Sequence, residues 1–298
     1  MRSYRYLHLD VFTSTAFEGN QLAVFPEPHG LTAELMQTIA REMNFSECTF
    51  IFPREQAGDV RMRIFTPAEE LPIAGHPTIG STFALALEGT IARGRTEFVF
   101  ELGVGPTPVT MDWEAGELAF AWMTQPLPVF GPTIEDRSAV AAALGVAERD
   151  LERGLPVQVV SCGVPFVIVA LASRQAVDAV QADRRALASC LSGAGIDELP
   201  VFVFTTQGDE TTYSRMLAPG FGIVEDPATG SAAGPLGCYL VRNGVASMDA
   251  ARAMLNAQGV AMQRPSRIHI SIDSDSHRIT RVRVGGQAVL VGTGEIRT

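Results

Sequence analysis

The sequence contains one short pattern twice, and this repeat constrains the fold more than any other feature. "RIFTP" at residues 63–67 matches "RMLAP" at residues 215–219, and each follows a strand pattern. Each is then followed by P-x-x-G-S, as "PTIGS" from Pro77 and "PATGS" from Pro227, and by an apolar run that ends at glycine. The repeat predicts two similar units, each with a strand, a small-residue turn and a buried central helix.

Periodicity predicts further strands and helices on both sides of the repeat. Residues 7–11 alternate between apolar and polar or smaller side chains, as a strand does, and helical spacing follows Thr32, a suitable cap. Residues 78–89 are apolar almost all round, which predicts a buried helix closed by Gly89. The run 250–258 fits a helix and a strand equally well.

The segment "MTQPLPVFGPT", residues 123–133, is the predicted domain linker, because its three prolines and its glycine disfavour regular structure. The predicted domains are therefore residues 1–123 and residues 124–298, and the last strand is able to cross back to the first domain. The chain of 298 residues with 46% hydrophobic content can form one large core or two medium ones.

Charge and composition exclude several classes of partner. The net charge is −10 and no basic patch is present, so nucleic acid and anionic membrane surfaces are not expected partners. No apolar run approaches the length of a membrane span, and the N-terminus lacks the apolar core of a secretory signal. We expect a cytoplasmic protein with four reduced cysteines, and no metal, because no histidine pair or C-x-x-C has ligand spacing.

The two small-residue turns are candidate anion-binding sites. The first backbone N–H groups of a helix have no partner within the helix, and its N-terminus is electropositive. Two such starts facing one ligand would suit a small carboxylate. The alternative is that Gly80 and Gly230 only allow the helices to pack closely.

Three ionisable residues are candidates for the chemistry. The residue before the proline is His76 in the first turn and Asp226 in the second, and a residue before proline favours extended backbone that presents its side chain. His76 can exchange protons near neutral pH, whereas Asp226 can accept hydrogen bonds from a substrate or can cap the next helix. Glu47 enters an apolar strand, where burial would raise its pKa toward that of an acid/base, unless it faces solvent at a strand edge.

Five segments together resemble the PhzF-type phenazine-biosynthesis isomerase family of the diaminopimelate epimerase-like superfamily. They are "DVFTSTAFEGNQLAVF", "MNFSECTF", "RIFTPAEELPIAGHPTIG", "RMLAPGFGIVEDPATGSAAGPLGCYL" and "QRPSRIHI". The resemblance extends over nearly the whole chain in the expected order. It implies an α+β fold of two pseudo-repeated domains, each a barrel-like curved sheet around a central helix.

The resemblance also implies how such a protein works. A site in the interdomain cleft, without cofactor or metal, would use Glu47 as general acid/base, with His76 and Asp226 holding and polarising the substrate. Ser231 would take a substrate carboxylate, and Ser46, Gly75, Thr78 and Gly230 would bind substrate or shape the pocket. A homodimer is implied as well.

Two departures from the family pattern place the chain away from the phenazine enzymes proper. Gly19-Asn20-Gln21 stands where GNP is common, and the sequence after Ser46-Glu47 is Cys-Thr-Phe where SETTF is common. Both spare Glu47, and both leave the substrate open.

Three other functions are alternatives to a one-base isomerase. An amino-acid epimerase or racemase of this superfamily would use two thiols at the helix starts, but neither turn contains cysteine. A metabolite-binding protein without activity would need the anion-binding turns but not Glu47. Nucleotide binding is disfavoured because no G-x-x-x-x-G-K-[ST] pattern is present.

Overall fold

The computed structural model describes residues 2–206, 211–275 and 278–298. The chain divides into two compact units. The first comprises Met1–Gln125 and Arg283–Thr298, and the second comprises Pro126–Val282.

Eighteen strands and six α-helices account for most of the described residues. In chain order they are β1 (Ser3–Val11), β2 (Asn20–Phe25), α1 (Ala33–Met43), β3 (Glu47–Pro53), β4 (Val60–Phe65), β5 (Glu70–Leu71), α2 (Gly75–Leu87), β6 (Glu97–Leu102), β7 (Gly105–Glu114), β8 (Glu117–Gln125), β9 (Val129–Ile134), α3 (Arg137–Leu144), β10 (Val157–Ser161), β11 (Pro165–Ala170), α4 (Arg174–Ala179), α5 (Arg184–Gly193), β12 (Val201–Thr206), β13 (Thr211–Ala218), β14 (Ile223–Asp226), α6 (Gly230–Arg242), β15 (Met254–Gln258), β16 (Ser266–Asp275), β17 (Arg278–Gly286) and β18 (Ala288–Arg297).

The first unit is a curved sheet around α2. Its strands pair in the order β18–β1–β2–β3–β4–β6–β7–β8, and only β2–β3 and β4–β6 are parallel. Parallel neighbours need a crossover connection, and α1 and α2 provide the two crossovers. α2 packs against β1, β2, β3, β8 and β18, whereas α1 packs against β3 and β4.

The second unit repeats this topology. Its strands pair in the order β9–β10–β11–β12–β13–β15–β16, with β11–β12 and β13–β15 parallel. Here α4 and α5 form the first crossover and α6 forms the second, and α6 packs against β10, β11 and β16. The repeat predicted from the sequence therefore corresponds to two copies of one strand order around a central helix of 13 residues.

Three local predictions can be compared with the structure. Thr32 caps α1, as predicted, because its hydroxyl accepts a hydrogen bond from the Leu35 backbone N–H at 3.3 Å. The ambiguous run 250–258 ends in strand β15. The predicted linker, residues 123–133, is mostly strand, because it begins in the last three residues of β8 and ends in β9. β9 tolerates Pro132 because its one described partner strand is β10.

Gly80 lies where α2 packs closely against the sheet. A Cβ atom there would lie 2.5 Å from Leu22 Cδ2 and 2.7 Å from Val11 Cγ2. The packing interpretation therefore applies to Gly80. Within the described residues, the longest apolar helices fall short of what a membrane span requires.

Candidate active site

Glu47 is the first residue of β3 and faces the central helix of its unit. Cys48 belongs to the core beneath α1, so strand alternation directs Glu47 and Thr49 to the opposite face, where Thr49 Oγ1 lies 2.9 Å from Ser81 Oγ of α2. β3 lies between β2 and β4, and the Glu47 side chain is 15% exposed. The alternative of a solvent-facing glutamate at a sheet edge is therefore wrong.

His76 lies beside Glu47. It is the second residue of α2, its side chain is 4% exposed, and its Nε2 lies 3.2 Å from Glu47 Oε2. Burial lowers the pKa of His76 from 6.5 to about 3, while a hydrogen bond with the Gln21 backbone acts in the opposite direction. The imidazole is therefore neutral at pH 7, and the expectation that it titrates near neutral pH is wrong because its surroundings exclude water.

The expectation of extended backbone at His76 is also wrong. α2 begins at Gly75, before the proline, so His76 and Pro77 both belong to the first helical turn. A proline there is tolerated because the N–H it lacks would have had no acceptor within the helix. Asp226, in contrast, does lie at the end of a strand, β14.

Asp226 is held by a buried polar network in the second unit. It is 6% exposed, and its Oδ2 accepts a hydrogen bond from Thr229 Oγ1 at 2.5 Å. Gln258 Nε2 donates to the Asp226 carbonyl at 2.9 Å and to Thr229 Oγ1 at 2.9 Å, and Gln258 Oε1 accepts from the Thr229 N–H at 3.1 Å. Thr229 is the N-cap residue of α6, so the hydrogen bond from its hydroxyl links the Asp226 carboxylate to the start of that helix.

The other predicted site residues lie at the starts of these elements. Gly75 and Gly230 are the first residues of α2 and α6, and Ser231 is the partly exposed second residue of α6. Ser46 directly precedes β3. Thr78 is buried, and its hydroxyl donates to the Ala74 carbonyl at 2.8 Å. The structure thus groups Glu47, His76, Gly75, Thr78 and Ser46 in the first unit, and Asp226, Gly230 and Ser231 in the second.

Sequence reasoning missed two residues of these networks. Asn20 is 1% exposed, and its Nδ2 lies 3.3 Å from His76 Nδ1. The preceding glycine, Gly19, is the one feature of the sequence that could have pointed to Asn20. Gly19 has a φ of +66°, and a Cβ atom there would lie 2.3 Å from the Val11 carbonyl oxygen, so the position requires glycine. Gln258 carries no comparable signal, because it ends the run whose periodicity was ambiguous.

Comparisons with known proteins agree over nearly the whole chain. The sequence profile described as "Phenazine biosynthesis-like protein" matches residues 9–294. The trans-2,3-dihydro-3-hydroxyanthranilate isomerase of Pseudomonas aeruginosa is 36% identical over 291 residues, which cover 98% of each chain. The crystal structure of a PhzF-family phenazine biosynthesis protein from Bacillus anthracis superposes with a TM-score of 0.86 at 25% identity, covering 100% of both chains.

A more distant structure confirms the predicted fold class. The hydroxyproline epimerase of Agrobacterium vitis has a TM-score of 0.69 at 12% identity, covering 99% of this chain and 92% of its own. The fold is thus the predicted α+β arrangement of two diaminopimelate epimerase-like repeats. With a family profile and relatives matched over nearly its full length, the chain belongs to the PhzF family of isomerases.

Proposed function

We propose that the protein is a cofactor-independent isomerase that moves a proton on a small carboxylate-bearing substrate, with Glu47 as its acid/base. The observation that supports this most strongly is the largely buried Glu47 carboxylate, 3.2 Å from a neutral, buried imidazole. A carboxylate shielded from water and beside a group that carries no charge is suited both to taking and to returning a proton.

The reaction we propose has two proton transfers. The ionised Glu47 carboxylate removes a proton from a carbon next to a carbonyl or conjugated system, and the C–H electron pair moves into that system. The Glu47 carboxylic acid then returns a proton to another carbon, which shifts the double bond, and part of the protons on Glu47 exchange with solvent before they are returned. The net change is an isomerisation, since one proton leaves the substrate and one is added to it.

His76 and Asp226 have holding roles in this proposal. Neutral His76 can donate a hydrogen bond but adds no charge, so it supports Glu47 without trapping it in one protonation state. Asp226 is fixed by Thr229 and Gln258, and a rigid carboxylate can accept a hydrogen bond from a substrate hydroxyl or ammonium.

In this proposal the N-termini of α2 and α6 supply hydrogen-bond donors to the substrate. Ser231 and the backbone N–H groups at the start of α6 would take the substrate carboxylate, and Gly75 and Thr78 at the start of α2, together with Ser46, would shape the pocket. Helix N-termini favour negative charge, and they would also stabilise charge that develops as Glu47 removes the proton.

A two-thiol epimerase mechanism does not fit the residues at these positions. The residues that precede α2 and α6 are Ala74 and Thr229. Cys48 is fully buried, and burial raises the pKa of its thiol to about 12, which disfavours the reactive thiolate. Cys238 lies well inside α6.

The proposal is tested by proton exchange in D2O followed by NMR. The first substrate would be trans-2,3-dihydro-3-hydroxyanthranilate, after the name of the Pseudomonas aeruginosa relative, followed by other small cyclic and amino-acid carboxylates. We expect exchange with EDTA-dialysed protein and its loss in Glu47→Gln. Undiminished exchange in Glu47→Gln would refute the assignment of Glu47, and binding without exchange for every substrate would favour the metabolite-binding protein.

We also propose that the protein is a homodimer and is located in the cytoplasm. The dimer is proposed from the family resemblance, and light scattering coupled to size exclusion would test it against the monomer mass of 31.9 kDa. The cytoplasm is proposed from the four free cysteines, three of which are buried. Fractionation of the source cells would test the location.

A further inference from the structure

The turn that leads into α6 lies against the end of β15. Gln258, the last residue of β15, is fully buried, and its side chain bonds to both ends of the turn, Asp226 and Thr229. The next residue, Gly259, has a φ of +73°, and a Cβ atom there would lie 2.4 Å from the Pro227 carbonyl oxygen. The turn and the end of β15 are therefore in close contact.

The groups around Gln258 fix the orientation of its amide. A backbone N–H can only donate, so Oε1 must be the atom that lies 3.1 Å from the Thr229 nitrogen. A backbone carbonyl can only accept, so Nε2 must be the atom that lies 2.9 Å from the Asp226 carbonyl oxygen. Exchanging the two atoms would place donor against donor and acceptor against acceptor.

This orientation determines the direction of the next hydrogen bond. Gln258 Nε2 also donates to Thr229 Oγ1 at 2.9 Å, so the hydroxyl accepts there and has its own hydrogen left to donate. Asp226 Oδ2 lies 2.5 Å from the hydroxyl oxygen and accepts that hydrogen. A hydrogen bond donated to a carboxylate favours its ionised form. The chain of donors thus runs from Gln258 through Thr229 to the Asp226 carboxylate.

We propose that Gln258 is a positioning residue, which directs the Thr229 hydroxyl at Asp226 and so keeps that carboxylate an acceptor for a hydroxyl or amino group of the substrate. The proposal rests on the proposed role of Asp226 in holding the substrate. It narrows the substrate class to small carboxylates that also carry such a donor. A carboxylate already oriented by buried donors loses little freedom when it binds, so its orientation contributes to affinity.

Gln258→Glu would reverse the chain of donors with little change in shape. The new carboxylate can still accept from the Thr229 N–H, but it would also accept from the Thr229 hydroxyl, whose hydrogen would then turn away from Asp226. It would also offer no N–H to the Asp226 carbonyl. We therefore expect this variant to leave the Asp226 carboxylate without the donor that orients it.

The test measures binding by isothermal titration calorimetry at pH 7 with two probes. The first, 3-hydroxyanthranilate, carries a carboxylate, an amino group and a hydroxyl, whereas the second, benzoate, carries the carboxylate alone. We expect the wild type to bind 3-hydroxyanthranilate at least about 10-fold more tightly, because Asp226 accepts from its donors. In Gln258→Glu this ratio should fall to about 2, while the affinity for benzoate changes by less than about twofold.

Further variants separate positioning from a general loss of structure. Ser266→Ala is the matched control, because it removes a buried hydroxyl that donates to the Pro227 carbonyl in the same turn at 2.9 Å, and it should keep the ratio. Gln258→Glu/Asp226→Asn should bind 3-hydroxyanthranilate no more weakly than Asp226→Asn, because Gln258 acts through Asp226. Should Gln258→Glu not fold, Thr229→Val should lower the ratio and Thr229→Ser, which keeps the hydroxyl, should retain it.

Three results would overturn the proposal. They are a wild type that binds both probes equally or binds neither, a Gln258→Glu variant with the wild-type ratio, and a Ser266→Ala variant that loses the ratio as fully as Gln258→Glu. Because binding of the probes does not require proton transfer, the proposed acid/base is tested separately. If Glu47→Gln retains proton exchange while the probes behave as expected, the proposed function fails and the role of Gln258 stands.

Discussion

The two central helices follow the same arrangement of strands but present different chemistry. Before each helix a short strand is tied to its neighbour by a two-pronged arginine–glutamate pair, Arg63–Glu70 before α2 and Arg215–Glu225 before α6. The second residue of α2 is His76, and the second residue of α6 is Ser231.

The polar partner of each helix start comes from a different place. In the first unit the carboxylate is Glu47, on a strand that lies beside the helix. In the second unit it is Asp226, from the strand that leads into the helix, and Thr229 and Gln258 hold it. One repeated backbone thus offers a carboxylate beside a neutral imidazole in one copy and a fixed, hydrogen-bonded carboxylate in the other.

The largest expected difference between the copies is kinetic. Glu47→Gln should lower kcat by about 10²- to 10⁴-fold, because it removes the proposed acid/base. Asp226→Asn should act mainly on KM, because it weakens a contact made in both ground and transition states. Steady-state kinetics on one substrate would check this, and an equal loss of kcat in both variants would contradict the division of roles.

The second largest expected effect is that the two arginine–glutamate pairs contribute differently to the free energy of unfolding. The Arg215 and Glu225 side chains are 11% and 12% exposed, and Arg215 Nη1 also donates to the carbonyls of Val177, Asp178 and Val180. Arg215→Met should therefore destabilise by about 3–5 kcal/mol, because it leaves a buried carboxylate unpaired. Arg63→Met should cost about 1 kcal/mol, because Glu70 is 41% exposed to water.

Urea unfolding of both variants checks this prediction. The double variant Arg215→Met/Glu225→Met is the control, since removal of both charges should recover much of the loss. Equal costs at Arg63 and Arg215 would show that burial does not distinguish the two pairs.

Much of this comparison could be predicted from the sequence, because the repeat rests on local patterns. The P-x-x-G-S motif locates both helices, whereas the apolar strand after Ser46 leaves a buried and a solvent-facing Glu47 equally open, and the structure shows the buried one. The motif did not give the helix starts correctly. α2 begins five residues before Gly80, whereas α6 begins at Gly230, the matching glycine.

The remainder depends on contacts between distant residues. Asn20 meets His76 across 56 positions, and Gln258 meets Thr229 across 29. No local period encodes such pairs. The low pKa of His76 could not be predicted for the same reason, because the burial that causes it results from packing of the whole first unit around α2.

A smaller difference should appear in the acid sensitivity of the first unit. In the unfolded chain His76 gains a proton below about pH 6.5, whereas in the folded protein it stays neutral down to about pH 3. The free energy of unfolding therefore falls as the pH falls across this range. Between pH 8 and pH 5 this contributes about 2 kcal/mol. His76→Gln should lose that part of the pH dependence in urea titrations, and a variant of the exposed His29 should retain it. Parallel curves for wild type and His76→Gln would refute the burial of a neutral ring.

The smallest expected effect concerns the packing of the central helix. Gly80→Ala should destabilise by about 1 kcal/mol, at the low end for overpacking, because the atoms its Cβ meets are the ends of the Leu22 and Val11 side chains. Gly193→Ala, at the end of α5 where nothing lies within 4 Å of the new Cβ, should stabilise by about 0.4–1 kcal/mol. Thermal unfolding of the two variants separates these effects by sign. If Gly80→Ala proved as stable as Gly193→Ala, close packing would not explain the glycine, and its place in the repeated motif would need another reason.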